Sequence, residues 1–394
     1  MAEDPKTWRL QTRLVRGGLN RSPFGETAEA LYLTQGYVYD SAQSAEARFK
    51  GEEDGFVYSR YANPTNKMFE DRLALLEGAE ACRSTASGMG AVHLAMMGLL
   101  RAGDHVVSGR ALFGSCRWII GQWLPRFGVE TTVVDGRDVE AWRAAMRPNT
   151  KAVFMETPAN PLLELADVKA VCDIAHAVGA KVVIDNVFAT PVFQKPLELG
   201  ADIVVYSATK HIDGQGRVLG GAVLGKAELL DEAYRDPIRH TGPTLSAFNA
   251  WVLMKGLETL ELRVRRQAET ALKLMDVLTA HPKVKQALYP FHPSHPQYEL
   301  AKRQMTGGGT VVAFEMADKA AAFNVLNAFE IVDLSNNLGD AKSLATHPST
   351  TTHRALTEEE RLTLGLTEGC IRLSVGLEDP VDLERDLSRA LDRA

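Results

Sequence analysis

The stretch from residue 105 to residue 206 constrains the fold most. Five short runs of apolar and β-branched residues, at 105–107, 130–134, 152–155, 182–184 and 203–206, alternate with segments of helical period. The segment 167–178 places apolar residues at 168, 171, 172 and 175, a single helical stripe. Short apolar strands alternating with helices predict an α/β fold, with a mostly parallel central sheet covered on both faces.

The flanks read differently. Tyr, Gly, Asn, Pro and Ser punctuate residues 1–65, and only 45–51 hints at a helix, so this segment is expected to be an extended arm that packs on something else. From Asn63 the pattern turns helical. Pro64 and Thr65 start a helix carrying Met68, Leu73 and Leu76, and a second follows Ser87 through Met89, Leu94 and Met97. Residues 66–256 then form the large domain. Two helices are expected at 247–257 and 260–280. Beyond Pro282, strand-like pieces at 310–314 and 371–374 mix with helices at 319–329 and 380–391, which predicts a smaller α+β C-terminal domain over 257–394. A chain of 394 residues exceeds the usual size of one hydrophobic core, in keeping with two domains.

Composition narrows the function classes. The chain is 45% hydrophobic and 24% charged with a net charge of −6, which gives no reason to expect nucleic acid or an anionic membrane as a partner. Cys82, Cys116, Cys172 and Cys370 are far apart and form no CxxC pair, so neither a disulfide framework nor a zinc ribbon is expected. The histidines show no HExxH spacing, and no metal site is expected. The polar N-terminus lacks the apolar core of a signal peptide and no apolar run is long enough to span a bilayer, so the expected setting is the reducing cytoplasm.

The most informative segment is Ala201 to His211 (ADIVVYSATKH). An apolar strand ends there, and ligands in α/β sheets bind at the carboxyl ends of strands. Ser207 and Thr209 can donate to a phosphate. Lys210 can condense with an aldehyde if burial or neighbours free its amine. The glycine-rich run from Gly214 to Gly221 lets backbone approach a ligand closely. The bland alternative is a solvated surface lysine. A second strand end, Lys181 to Asn186 (KVVIDN), sets Asp185 after a β-branched run. An anion there suits pyridoxal 5′-phosphate (PLP), whose protonated ring nitrogen makes it an electron sink; the alternative is a turn or helix-capping aspartate. A third cluster, Ala86 to Ala91 (ASGMGA), opens a helix whose free N–H groups could bind phosphate, or is simply a glycine-containing turn.

Two motifs are decoys. Gly88 to His93 resembles a dinucleotide fingerprint but has His93 in place of the third glycine. Gly220 to Ala227 matches GxxxxGK but has Ala227 where a P-loop needs Ser or Thr. His211 is expected to be structural or a phosphate neighbour before it is a base.

Taken together, Tyr58–Thr65 (YSRYANPT), Ser87–Gly90 (SGMG), Glu156–Pro161 (ETPANP), Asp185–Asn186 with Ala189–Pro191 (ATP), Ser207–Lys210 (SATK) and Ile371–Glu378 (IRLSVGLE) resemble the PLP-dependent Cys/Met-metabolism (trans-sulfuration) family, from about Thr12 to Leu391. The resemblance implies fold type I, the aspartate-aminotransferase-like fold, and a homotetramer built from tight dimers. It implies Lys210 as the Schiff-base lysine, Asp185 as the pyridinium partner and Asn160 beside the ring oxygen. Gly88, Met89, Ser207 and Thr209 match the phosphate cradle. Tyr58 and Arg60 match residues that reach the neighbouring subunit's phosphate, which would give the arm its purpose. Arg372 matches the arginine that grips the substrate α-carboxylate, with Asn337 and Thr352 in flanking segments. Many members stack a tyrosine on the PLP ring; here the matching stretch, Leu112–Cys116 (LFGSC), offers Phe113, which stacks but carries no proton. Proton transfer then falls to Lys210 and Tyr58.

Within the family, Leu334–Pro348 and Leu112–Cys116 are most similar to the branch that replaces the succinyloxy group of O-succinylhomoserine with sulfide, giving homocysteine. The expected partners are therefore an amino-acid substrate and sulfide. Relatives that use cysteine as nucleophile, an acetyl donor or plain elimination are the alternatives. A PLP-binding regulator without catalysis is the alternative of a different class.

Overall fold

The computed structural model describes residues 4–394. Seven strands form the large sheet: β1 (Ala81–Thr85), β2 (His105–Gly109), β3 (Glu130–Val134), β4 (Thr150–Glu156), β5 (Lys181–Asp185), β6 (Ile203–Ser207) and β7 (Gly221–Gly225), in the spatial order β1-β7-β6-β5-β4-β2-β3. Only β7 opposes the other six, because it pairs antiparallel with both β1 and β6. The sheet is thus the mostly parallel one the apolar runs predict.

Its central strands are apolar because both faces are covered. Val106, Phe154, Val183, Ile203 and Val205 pack with Leu94 and Ala95 of the Gly88–Leu99 helix. Their chain neighbours Val107, Val153, Val182 and Ile184 point the other way and pack with Val171 and Ala175 of the Val168–Ala177 helix. Each such side chain contributes roughly 1.5–3 kcal/mol on full burial. The Pro64–Glu77 helix starts where expected: Asn63 accepts the Thr65 N–H and Pro64 occupies the first turn. Its Phe69, Leu73 and Leu76 join Val204, Tyr206 and Leu224 beneath the sheet.

A second, five-stranded sheet comes next: β8 (Gln286–Leu288), β9 (Val311–Glu315), β10 (Asp333–Leu334), β11 (Leu344–Thr346) and β12 (Cys370–Ser374), ordered β10-β11-β12-β9-β8. The Leu260–Ala280 helix joins the two layers. Leu260 and Val264 enter the large core, whereas Ala271, Leu274, Met275 and Leu278 enter the core under the small sheet.

Several elements differ from the sequence expectations. The arm holds a helix at Leu10–Arg16, in addition to one at Ala42–Lys50, and buried Leu14 seats it in the core of the Pro64–Glu77 helix. β7 was hidden in a glycine-flanked run. Gly221 is required there because a Cβ would strike the Ser87 carbonyl. The GxxxxGK match is therefore a strand and not a phosphate loop. β1 and the Val139–Ala145 and Ala227–Thr241 helices also escape the periodicity reading. The arm is fastened by a buried cluster: Glu29 receives Arg72 Nη2 at 2.5 Å and Lys255 Nζ at 2.9 Å, while Arg72 Nε donates to the Gly17 carbonyl at 2.8 Å. Removing one partner of such a buried pair costs about 3–5 kcal/mol. No helix among the described residues is long and apolar enough to cross a membrane.

Candidate active site

Three adjacent parallel strands end on the same cavity. Glu156 is the last residue of β4, Asp185 of β5 and Ser207 of β6, and Glu156 and Asp185 face one another in register. The cavity, ≈ 230 Å³, lies at the carboxyl edge where open α/β sheets bind ligands, and all three line it.

Lys210 sits in the turn after β6, its N–H on the Ser207 carbonyl at 3.2 Å. Its Nζ donates to Asn337 Oδ1 at 2.5 Å. Burial, reinforced by the positive Arg372, lowers the amine to about 8, against the pull of Asp185. A pKa near 8 leaves about a tenth of the amine free at pH 7, far more than an ordinary lysine has. Asp185 accepts the Val187 N–H at 3.1 Å. Burial raises its pKa, while that hydrogen bond and Lys210 oppose the rise. Burial and then the Asp185 charge push Glu156 upward too.

Arg372 reaches the cavity from the middle of β12, between Thr346 of β11 and Ala313 of β9. Its Nη1 donates to Asn160 Oδ1 at 3.0 Å, and Nη2 to the carbonyls of Asn336 at 2.8 Å and Asn337 at 3.0 Å. Burial lowers its pKa to about 10. Its Nε is buried with no partner, and no carboxylate of the described residues forms an ion pair with it. A buried guanidinium in this state is a receptor for an anion.

The structure gathers Lys210, Asp185, Asn160, Ser207, Thr209, Gly88, Met89, Phe113 and Arg372 around this one cavity. Asn337 joins them through Lys210. Thr352 does not line the cavity: its hydroxyl pairs with His353 Nδ1 at 2.8 Å and its carbonyl stands against Gly114. Tyr58 and Arg60 do not line it either. They lie on the arm, with Arg60 over the Tyr58 ring at 5.4 Å and the Tyr61 ring at 5.0 Å. His211 is buried with Nε2 2.6 Å from Thr310 Oγ1, so it is structural. Glu156 and Asn336 line the cavity without having been singled out from the sequence. Glu156 ends an apolar run (KAVFME) just as Asp185 ends KVVID, so the same strand-end rule would have found it.

PLP fits this donor set. The Gly88–Leu99 helix begins at the cavity, and Ser87 Oγ caps only the Gly90 N–H, at 3.1 Å. The Gly88 and Met89 N–H groups are left to face an anion such as a phosphate. A Cβ at Gly88 would come within 2.5 Å of the Ser207 Cβ, so the cradle needs glycine there. An amine, a strand-end carboxylate and the phosphate-ready helix share one pocket.

The fold and the site define a PLP-dependent enzyme of fold type I. The chain belongs to the family described as Cys/Met metabolism PLP-dependent enzymes, whose family model matches residues 11–392. It is 58% identical to an O-succinylhomoserine sulfhydrylase of Mycobacterium tuberculosis over 96% of this chain and 94% of that protein. It is 47% identical to an O-succinylhomoserine sulfhydrylase of Pseudomonas aeruginosa, over 97% of this chain and 95% of that one. A crystal structure of a putative O-acetylhomoserine (thiol)-lyase from Campylobacter jejuni, which contains a pyridoxyl-lysine-5′-monophosphate residue, superposes with a TM-score of 0.94 at 31% identity, covering 98% of this chain and 100% of that one.

Proposed function

We propose that this enzyme replaces the succinyloxy group of O-succinyl-L-homoserine with sulfide, giving L-homocysteine and succinate. The observation that carries the reading is the pairing of Lys210, an amine lowered to about 8, with Arg372, a buried cation lacking a carboxylate partner, on one cavity. The similarity to two proteins of that name supports the choice of acyl group and nucleophile.

PLP, when bound, supplies the electron sink for charge developing at the substrate Cα. Arg372 grips the α-carboxylate and aims the Cα–H at Lys210. Lys210 Nζ removes that proton as general base. Asp185 keeps a negative charge beside the ring nitrogen and so holds a proton there. Gly88, Met89, Ser207 and Thr209 would hold the PLP phosphate, and Asn160 and Phe113 would flank its ring. Net, succinate leaves Cγ with the C–O electron pair, HS⁻ supplies the pair of the new Cγ–S bond, and every proton that Lys210 takes from Cα and Cβ returns to the carbon chain. Asn337 holds the Lys210 amine in place between transfers, and Thr352 backs the loop beside Phe113. Tyr58 and Arg60, absent from their own cavity, serve the neighbouring subunit of a homotetramer made of two dimers, where Tyr58 assists proton transfer.

Product analysis with O-succinylhomoserine and either sulfide or cysteine tests the reading. Homocysteine and succinate are expected from sulfide. Absence of homocysteine, with cystathionine from cysteine or a keto acid from the amino acid alone, would overturn it.

A further inference from the structure

Glu156 is a buried carboxylate with no ion-pair partner among the described residues, and none of the roles above uses it. Its two oxygens are both engaged, each by a backbone N–H from a different wall of the cavity. Oε2 accepts from Phe113 at 2.8 Å and Oε1 accepts from Asn160 at 2.8 Å. Phe113 begins the Gly114–Trp118 helix after β2, whereas Asn160 lies in the loop after β4. Asn160 in turn receives Arg372 Nη1. One side chain thus ties the aromatic wall to the loop that holds the substrate-facing arginine.

We propose that Glu156 is a positioning residue: its carboxylate clamps the Phe113 and Asn160 backbones, so that the ring over the cofactor, the group at its edge and Arg372 keep one mutual geometry. The proposal rests on the PLP site assigned above. Carboxylate chemistry suits the task, because both oxygens are acceptors and the two backbone groups are both donors. A glutamine would turn an N–H toward one of them, and an aspartate is one carbon short of reaching both.

The test is the holoenzyme carrying Glu156→Gln, a near-isosteric change. PLP affinity is expected to fall about tenfold, as for loss of one hydrogen bond. The circular dichroism of the bound cofactor should weaken, and KM for the acyl-homoserine should rise with it through Arg372. Unchanged cofactor dichroism, PLP affinity and KM in a folded variant would overturn the proposal. The wild-type holoenzyme supplies a second measurement that needs no variant. Hydrogen exchange at the Phe113 amide, on a half-exposed residue at the start of a short helix, is expected to be slow; exchange at the rate of an open loop would overturn the clamp. These readouts concern the cofactor and the backbone. If wild-type enzyme makes no homocysteine from sulfide, the proposed reaction fails while the Glu156 result stands or falls separately.

Discussion

The wall of the cavity built from the large sheet sets three side chains at the ends of parallel strands, whereas the wall built from the small sheet sets one, Arg372, in the middle of an antiparallel strand. The difference is one of solvation and reach. Parallel strands end along a common edge, so Glu156, Asp185 and Ser207, far apart in sequence, meet without long loops. Two carboxyl groups and a hydroxyl thus sit where a ligand can answer them. Arg372 is flanked by paired backbone on both sides, so its guanidinium is held rigidly. Its hydrogen bonds go to neutral acceptors, Asn160 and two carbonyls. In the proposed mechanism the large sheet supplies proton chemistry and the small sheet a fixed grip on an anion.

Removing the amine tests the first wall most severely. Lys210→Ala is expected to lower turnover by at least about 10³-fold, the scale of a lost general base, and to abolish the cofactor's long-wavelength absorbance. Arg372→Ala probes the second wall. Steady-state kinetics should show KM for the acyl-homoserine rising by about 10²-fold with a smaller change in kcat, the pattern of lost ground-state binding. Equal losses in kcat alone would mean that the two walls do not divide the work this way. Asp185→Asn should cut kcat by about 10²-fold while KM changes little, because the lost group stabilises charge that develops during reaction.

The depressed Lys210 pKa gives a pH prediction with a definite sign. The amine captures an aldehyde only when deprotonated, so the rate at which apo-protein takes up PLP should rise with pH around a midpoint near 8 and level off above it. A midpoint near that of an ordinary lysine would show that burial and Arg372 do not act on it. Asp185→Asn removes the one neighbour that favours the charged amine, so it should move this midpoint downward. The smallest effect is expected at the cavity mouth. Phe113→Tyr should alter kcat by less than about threefold and leave its pH profile in place, because a stacking ring is kept. A large gain would show that a phenol at this position carries a proton.

The large-sheet wall was legible in the sequence and the small-sheet wall largely was not. Runs such as KVVID and IVVYS report burial on both faces, and the residues at their C-terminal ends lie on a carboxyl edge by topology alone. That logic finds Asp185, Ser207 and Lys210 from periodicity. Arg372 lies inside the run CIRLS, where strand patterning treats it as an interruption; only the family resemblance marked it. Asn336 and the bonds from Glu156 to two separate loops depend on contacts that local sequence patterns do not encode. β7 was missed because its glycines answer a close approach to Ser87 that exists only in three dimensions. The Leu10–Arg16 helix was missed because it buries a single residue, Leu14, too little for a recognisable stripe.

Everything proposed for the site depends on Lys210 being the amine that takes the cofactor. Borohydride treatment of the PLP-loaded enzyme, with subsequent proteolysis and mass spectrometry, tests it directly. One pyridoxyl-phosphate label per chain is expected, on the peptide containing Lys210 and on that lysine. Label on another lysine, or none on a chain whose Lys210 is intact and whose cofactor is bound, would contradict it.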